Sequence, residues 1–171
     1  QISAFITALR FKGETPEEIA GMARIMREKS VSVQVNNPVL DTCGTGGDGA
    51  NTLNISTATG LLVSSAGITV AKHGNRAMSG STGSADVLES IGANIQLEAK
   101  DVELCLEKIG FGFMFAQMFH PSMKYAAGPR KEIGIRTVFN LLGPLTNPAG
   151  AEYQLIGVSE RSIGDKLIHA L

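Results

Sequence analysis

The 171-residue sequence has no apolar run near the roughly 18 residues needed to cross a bilayer and no secretory leader pattern at its start. It is therefore read as cytoplasmic, with no membrane partner. Cysteine is scarce: Cys43 and Cys105 lie far apart with no Cys-x-x-Cys spacing, which excludes a zinc site and a structural disulfide and leaves two ordinary thiols. Of the two, only Cys43 stands beside a glycine-rich stretch where its reactivity would matter. Basic residues are not in excess, since 15 Lys and Arg face 16 Asp and Glu for a net charge of −1, so a broad nucleic-acid surface is not expected. Internal repeats and low-complexity segments are also missing. What remains, at 43% hydrophobic and 18% charged residues, is the composition of a folded globular chain.

A more local absence carries more information. Residues 49–85 contain no Asp or Glu, yet they include Lys72, His73 and Arg76. Just before and into this stretch lies the segment 41–57, which follows an apolar pair, Val39 and Leu40, and holds four glycines, Gly44, Gly46, Gly47 and Gly49. Cap-type residues and an apolar helix follow. A strand, a tight loop and a helix start in that order bring main-chain N–H groups and the positive end of a helix to one place, where a phosphate fits. The spacing Gly44-x-Gly46-x-x-Gly49 also matches a dinucleotide fingerprint, but that motif needs an acid about 20 residues later to hold the ribose. None is present, so a nicotinamide site is rejected in favour of a ligand with several negative charges.

Taken in order, the spacing predicts a helix over 2–12 with Ile2, Phe5, Ile6 and Leu9 on one side. A second helix begins at Thr15-Pro16-Glu17-Glu18, with Thr as cap and carboxylates in the first turn, and turns Ile19, Met22, Ala23, Ile25 and Met26 inward. Asn36-Asn37-Pro38 marks a break. Helix 56–65 is followed by a short strand at 68–71 that delivers Lys72 to Arg76 to the end of a sheet. The hydroxyl-rich loop 77–84 offers a second phosphate cradle, and a helix over 85–91 follows it. Helix 98–109 is expected to turn Val102, Leu104, Cys105, Leu106 and Ile109 inward, ahead of a buried strand at 111–115. Helical stretches at about 120–133 and 137–142, a rigid loop at 143–148, a strand at 155–158 and a helix from 163 complete the chain. Alternating strands and helices imply a layered, mainly parallel α/β sheet behind a small helical unit. Because the chain opens on Gln1 inside one helix and stops at Leu171 inside another, it is expected to be a piece incomplete at both ends.

The motifs Gly44-Thr45-Gly46-Gly47-Asp48, Asn54-Ile55-Ser56-Thr57, Lys72-His73-Gly74-Asn75-Arg76 and Gly143-Pro144-Leu145-Thr146-Asn147-Pro148, in that order and spacing, resemble the anthranilate phosphoribosyltransferase family. The resemblance covers essentially the whole chain. It implies a nucleoside phosphorylase/phosphoribosyltransferase type of fold, divided as 1–36 helical, 37–118 α/β with the ligand loops, 119–142 helices packing back on the helical unit, and 143–171 a continuation of the α/β part. The activity implied is attack of the anthranilate amine on the anomeric carbon of phosphoribosyl pyrophosphate (PRPP), in tryptophan biosynthesis, by a magnesium-dependent enzyme that is a homodimer at full length.

Carried over by motif, Gly44, Gly47, Asp48, Thr52, Asn54, Ile55, Ser56 and Thr57 hold the pyrophosphate, with Ser56 as magnesium ligand. Lys72, His73, Gly74, Asn75, Arg76, Ala77, Met78, Ser79, Gly80 and Ser84 complete the PRPP site. Gly44, His73, Asn75 and Arg130 face anthranilate, Arg130 meeting its carboxylate. No residue is an obligatory base, although His73 can assist proton removal. The family's further Asp-Glu magnesium ligands come later than Leu171, so this piece alone is expected to turn over little. Two relatives with other activities are weighed against this. A pyrimidine nucleoside phosphorylase carries Lys-Ser-Thr-Gly-Gly where this chain has Gly-Thr-Gly-Gly-Asp, and a nucleic-acid-binding relative would show a basic surface and eroded motifs.

Overall fold

The computed structural model describes residues 1–46, 53–77 and 82–171. Helix α1, Ile2–Lys12, ends at Gly13, whose φ of 85° suits a residue without Cβ. Helix α2, Pro16–Glu28, opens on a capping box: the Thr15 hydroxyl accepts the Glu18 N–H at 3.3 Å, and the Glu18 carboxylate accepts the Thr15 N–H at 3.0 Å. Then come β1, Leu40–Gly44; α3, Ile55–Ser65; β2, Val70–Gly74; α4, Ser84–Ser90; α5, Ala99–Ile109; and β3, Phe111–Phe115. Short α6, Ala116–Phe119, leads to α7, Lys124–Ile133, and α8, Phe139–Leu142. Finally β4, Tyr153–Gly157, precedes α9, Arg161–Ala170. Among the described residues no helix is long and apolar enough to cross a membrane.

The four strands lie in the order β3-β2-β1-β4, every pair parallel. Register is continuous from Val70 opposite Phe111 to Gly74 opposite Phe115, and from Leu40 opposite Tyr153 to Gly44 opposite Gly157. The chain winds one way from β1 through β2 to β3, and β4 then returns to the other side of β1. The strand order thus reverses at β1, and the crevice beyond the carboxyl ends of strands on either side of such a reversal is where open α/β sheets take their ligands. Gly44 lies there, and Thr45 donates its N–H to the Gly157 carbonyl at 3.0 Å.

Three apolar clusters hold this arrangement. Val39, Ala71, Val102, Leu106 and Met114 pack α5 against the sheet, and Leu88, Ile95, Phe113 and Phe115 gather around α4. Leu9, Ile19 and Ala23 from the first two helices share a third core with Val138, Leu141, Leu142, Leu167 and Ala170. Leu104 and Ile109 are exposed and Cys105 is half-buried, against the expectation for α5; likewise Phe5 on α1 and Ile25 on α2 face outward. A helix on one sheet face buries only a narrow stripe, here Val102 and Leu106.

The strands depart from expectation in a way that matters for the site. β2 runs to Gly74 rather than ending at residue 71, so Lys72 and His73 belong to the strand and not to a loop after it. β1 likewise extends through Asp41, Thr42 and Cys43. Hydropathy hides both extensions, because the polar residues in them are buried with main-chain and side-chain partners. β4 begins two residues before the expected 155.

Candidate ligand site

Helix α3 is held close to β1 by Gly60, where a Cβ would sit 2.9 Å from Thr42 Oγ1. That hydroxyl in turn donates to the Ser56 carbonyl at 2.8 Å, which fixes the first turn of α3 on the strand. Asn54 caps the helix: its Oδ1 accepts the Thr57 N–H at 3.0 Å and the Ser56 hydroxyl at 3.1 Å. Lys72, fully buried, reaches from β2 to the same place, donating to the Thr42 carbonyl and to Ser56 Oγ at 3.2 Å. Gly44, Asn54, Ser56, Thr57 and Lys72, named separately by the sequence, therefore converge on the head of α3, while Ile55 is exposed.

Beneath them lies a buried carboxylate. Asp41 Oδ1 accepts the His73 N–H at 3.2 Å, and its buried Oδ2 makes no hydrogen bond within normal distance among the described residues, with Asn147 and Cys43 close by. Burial raises the Asp41 pKa and lowers that of Lys72, and each charge partly offsets the other's desolvation. Burial, together with Asp41, also raises the Cys43 thiol above its ordinary range, which disfavours the thiolate.

His73 places Nδ1 at 3.2 Å from the Gly143 carbonyl; a carbonyl can only accept, so Nδ1 carries the proton and Nε2 is an acceptor with no partner among the described residues. Burial, reinforced by His120, pushes the His73 pKa down to about 3. His120 stands 4.9 Å away between ring centroids, itself shifted downward by burial, and its Nε2 also lacks a partner among the described residues. The segment Gly143 to Asn147 closes over this pair: the Thr146 hydroxyl bonds the Gly143 carbonyl and Asn147 Nδ2 bonds the Ala71 carbonyl at 2.8 Å. No motif points to His120, which in the sequence is only the residue before Pro121 at the head of the expected helical stretch 120–133. Nor does any point to Arg136, which donates to the Gly46 carbonyl at 3.0 Å and Ser159 Oγ at 3.1 Å.

The other expected residues fall into two groups. Gly74, Asn75, Arg76, Ala77 and Ser84 form the neck of the second loop, with Arg76 paired to Asp86 and Glu89. Arg130, in the last turn of α7, stacks over Phe139 at 5.1 Å and has no carboxylate partner among the described residues. It shares no hydrogen bond or ion pair with His73 or Asn75. Gly47, Asp48, Thr52, Met78, Ser79 and Gly80 lie outside the described residues.

No group of three His, Cys, Asp or Glu that could hold a metal occurs among the described residues. Ser56 Oγ is the oxygen available at the head of α3, and Lys72 stands beside it. A single hydroxyl could serve magnesium only as one ligand, the others coming from phosphate oxygens and water as is usual for this small, reluctantly dehydrated ion, and Lys72 would have to turn from it to the phosphate.

Residues 36–171 match the model of the glycosyl transferase family a/b domain, and residues 1–30 match the helical bundle domain of the same family. All of the chain aligns with half the length of an anthranilate phosphoribosyltransferase from Dehalococcoides mccartyi at 64% identity, and with half of one from Chloroflexus aurantiacus at 61%. The chain thus spans about half the length of the curated relatives it matches. Its fold is similar to the crystal structure of anthranilate phosphoribosyltransferase from Thermus thermophilus, with a TM-score of 0.93 and 47% identity over 98% of this chain and 51% of that one. It is also similar to the Saccharomyces cerevisiae enzyme in complex with PRPP and Mg, with a TM-score of 0.91 and 32% identity over 99% of this chain and 48% of the other. With its helical bundle, its parallel sheet and a family match over most of its length, the chain belongs to the glycosyl transferase family of the a/b-domain type.

Proposed function

We propose that this chain forms the phosphate-binding part of an anthranilate phosphoribosyltransferase, which moves the 5-phosphoribosyl group of PRPP to the amine of anthranilate and releases pyrophosphate. The observation that carries the reading is the buried Lys72 ammonium, 3.2 Å from Ser56 Oγ at the capped head of α3, in a stretch without carboxylates. Relatives at 57–64% identity bear that enzyme's name, and yeast neighbours are described with PRPP and Mg and with 4-fluoroanthranilate.

In this mechanism Gly44, Asn54, Ser56, Thr57 and Lys72 hold and orient the pyrophosphate, with Gly47, Asp48 and Thr52 completing the loop. Asn75 and Ser84 bind the rest of PRPP. Ser56 would hold magnesium together with phosphate oxygens, and the ion would supply positive charge to the leaving group. The amine nitrogen attacks the anomeric carbon as the bond to the pyrophosphate oxygen breaks, and the nitrogen then loses a proton. Fixed N–H groups and Lys72 meet the charge growing on the leaving oxygen, so catalysis is electrostatic and positional. An aromatic amine keeps its lone pair at neutral pH and needs no obligatory base. Neutral His73 borders the amine, but burial holds its ring unprotonated down to about pH 3, so the released proton passes on to water. Gly44, His73 and Asn75 border the anthranilate ring, and Arg130 pairs with its carboxylate in the bidentate manner planar carboxylates favour. The full-length enzyme is a cytoplasmic homodimer that needs neither nucleic acid nor membrane.

Calorimetric titration of the chain with PRPP, with and without Mg²⁺, tests the cradle. Magnesium-dependent binding weakened by Ser56→Ala is expected; a folded chain that ignores PRPP overturns the assignment of the cradle to these residues. The activity itself rests on whether the protein, at the length of its relatives, makes phosphoribosyl anthranilate from PRPP and anthranilate.

A further inference from the structure

Arg76 belongs by motif to the PRPP contacts, but its guanidinium is committed elsewhere. It pairs with both oxygens of Glu89, one at 2.8 Å, and with Asp86 Oδ1 at 3.3 Å, and it lies 5.6 Å from the centre of the Phe115 ring. One arginine between two carboxylates leaves a local charge of −1. That is a poor receptor for a pyrophosphate.

The second oxygen of Asp86 does something more specific. Oδ2 accepts the Gly83 N–H at 2.8 Å, which is the capping bond of its own helix α4, and also the Ala77 N–H at 2.9 Å, which no helix requires. A single carboxylate oxygen thus gathers both limbs of the second loop. The limbs approach so closely that a Cβ on Gly83 would lie 2.4 Å from the Ala77 nitrogen and 2.5 Å from the Arg76 carbonyl carbon. Just below, Ala85 donates to the Asn75 carbonyl at 3.2 Å, and a Cβ on Gly74 would lie 3.0 Å from that of Ser84. Asn75 and Ser84 are therefore neighbours because the neck is closed. The same neck is tied to the head of α3, where Asn54 Nδ2 donates to the Thr82 carbonyl at 3.3 Å. The carboxylate form suits this position, since the bonds from Ala77 and Gly83, followed by Arg76, hold Asp86 below its ordinary pKa.

We infer that Asp86 is a positioning residue, which clamps Ala77 to Gly83 and so sets Asn75 and Ser84 at the spacing PRPP requires, and that Arg76 acts through Asp86 and Glu89 rather than on the ligand. This rests on the proposed function, because the role given to Asn75 and Ser84 does. Asparagine at position 86 cannot substitute: its NH₂ must face either the two N–H donors or the Arg76 guanidinium.

The test is steady-state kinetics of the full-length enzyme, with thermal melts and amide exchange at Ala77 and Gly83. Asp86→Asn is expected to speed exchange at both amides and to raise the PRPP KM about tenfold, as loss of bonds to a charged acceptor would. The anthranilate KM should rise less than the PRPP KM, since of the residues assigned to anthranilate only Asn75 belongs to the neck. Arg76→Glu should impair PRPP binding, and adding Glu89→Arg should restore it, because the pair rather than the arginine matters. A wild-type PRPP KM in folded Asp86→Asn overturns the inference, as does a charge-swapped variant that folds but stays as weak as Arg76→Glu alone. Should Asp86→Asn fail to fold, the swapped pair decides. A wild-type enzyme that binds no PRPP would instead overturn the functional reading, and the role of Asp86 with it.

Discussion

At the scale of single residues, the two imidazoles deep in the site give the clearest solution signature. Folded His73 stays neutral until the pH falls to about 3, whereas in an unfolded chain it takes a proton near 6.5. Between those values the unfolded state holds more protons, so stability is lost as pH drops from 6.5. Each pH unit costs roughly 1.4 kcal/mol, or about 2 kcal/mol by pH 5. Urea denaturation at pH 7 and pH 5 should show this loss, and His73→Gln should flatten much of it; an unaltered pH dependence would mean the ring is not buried neutral. Arg130 gives a functional counterpart. Its guanidinium is half-buried over Phe139 and lacks a carboxylate partner among the described residues, and burial lowers its pKa. Arg130→Lys should raise the anthranilate KM about tenfold with little change for PRPP, since a point charge cannot reproduce the bidentate fork. An unchanged anthranilate KM in a folded variant removes Arg130 from the site. Most of these residues were legible from motif alone. His120 was not, because its proximity to His73 depends on α6 folding back below the sheet ends.

At the scale of elements, the contact between α3 and β1 is where packing and site meet. Gly60→Ala gains up to about 1 kcal/mol of helix propensity. It also drives a Cβ to 2.9 Å from Thr42 Oγ1, on a strand and already bonded to the Ser56 carbonyl, so neither atom yields readily. Overpacking of that kind costs about 1–3 kcal/mol and wins. Gly60→Ala should therefore lower the melting temperature and weaken PRPP binding together, because Ser56 is displaced. Thr15→Ala supplies the contrast: loss of the α2 capping box costs about 1 kcal/mol, and PRPP binding stays as in the wild type. If Gly60→Ala bound PRPP normally, the head of α3 would not be the cradle. Helices were the most legible elements, since caps, glycine stops and apolar spacing are local. Strand limits were less so, because Lys72 and His73 read as loop residues until Asp41, Thr42 and Ser56 supply their partners.

At the scale of the molecule, large apolar side chains remain uncovered. Phe5 and Phe11 are 63% and 86% exposed on α1, and Tyr153 and Leu155 are about as open as Phe5 on edge strand β4. A groove of about 450 Å³ runs between α1, α2 and α7, lined by Phe5, Met22, Met26, Tyr125 and Phe139 and remote from Lys72 and Ser56. Exposed apolar surface and an open strand edge promote association. Sedimentation of the isolated chain should show self-association that grows with concentration and falls on Phe5→Ser or Leu155→Ser; a monomer at all concentrations would show that these surfaces are inert. The helices and the family motifs could be read along the chain, because caps, glycines and motif spacing act locally, and the absence of acids over 49–85 is what points to an anionic ligand. Folding was needed to bury Lys72 against Ser56, to stand His120 beside His73, and to turn Arg76 toward Asp86. Each of those depends on strand order and on helices packing across the sheet, and neither is written in the spacing of any one segment.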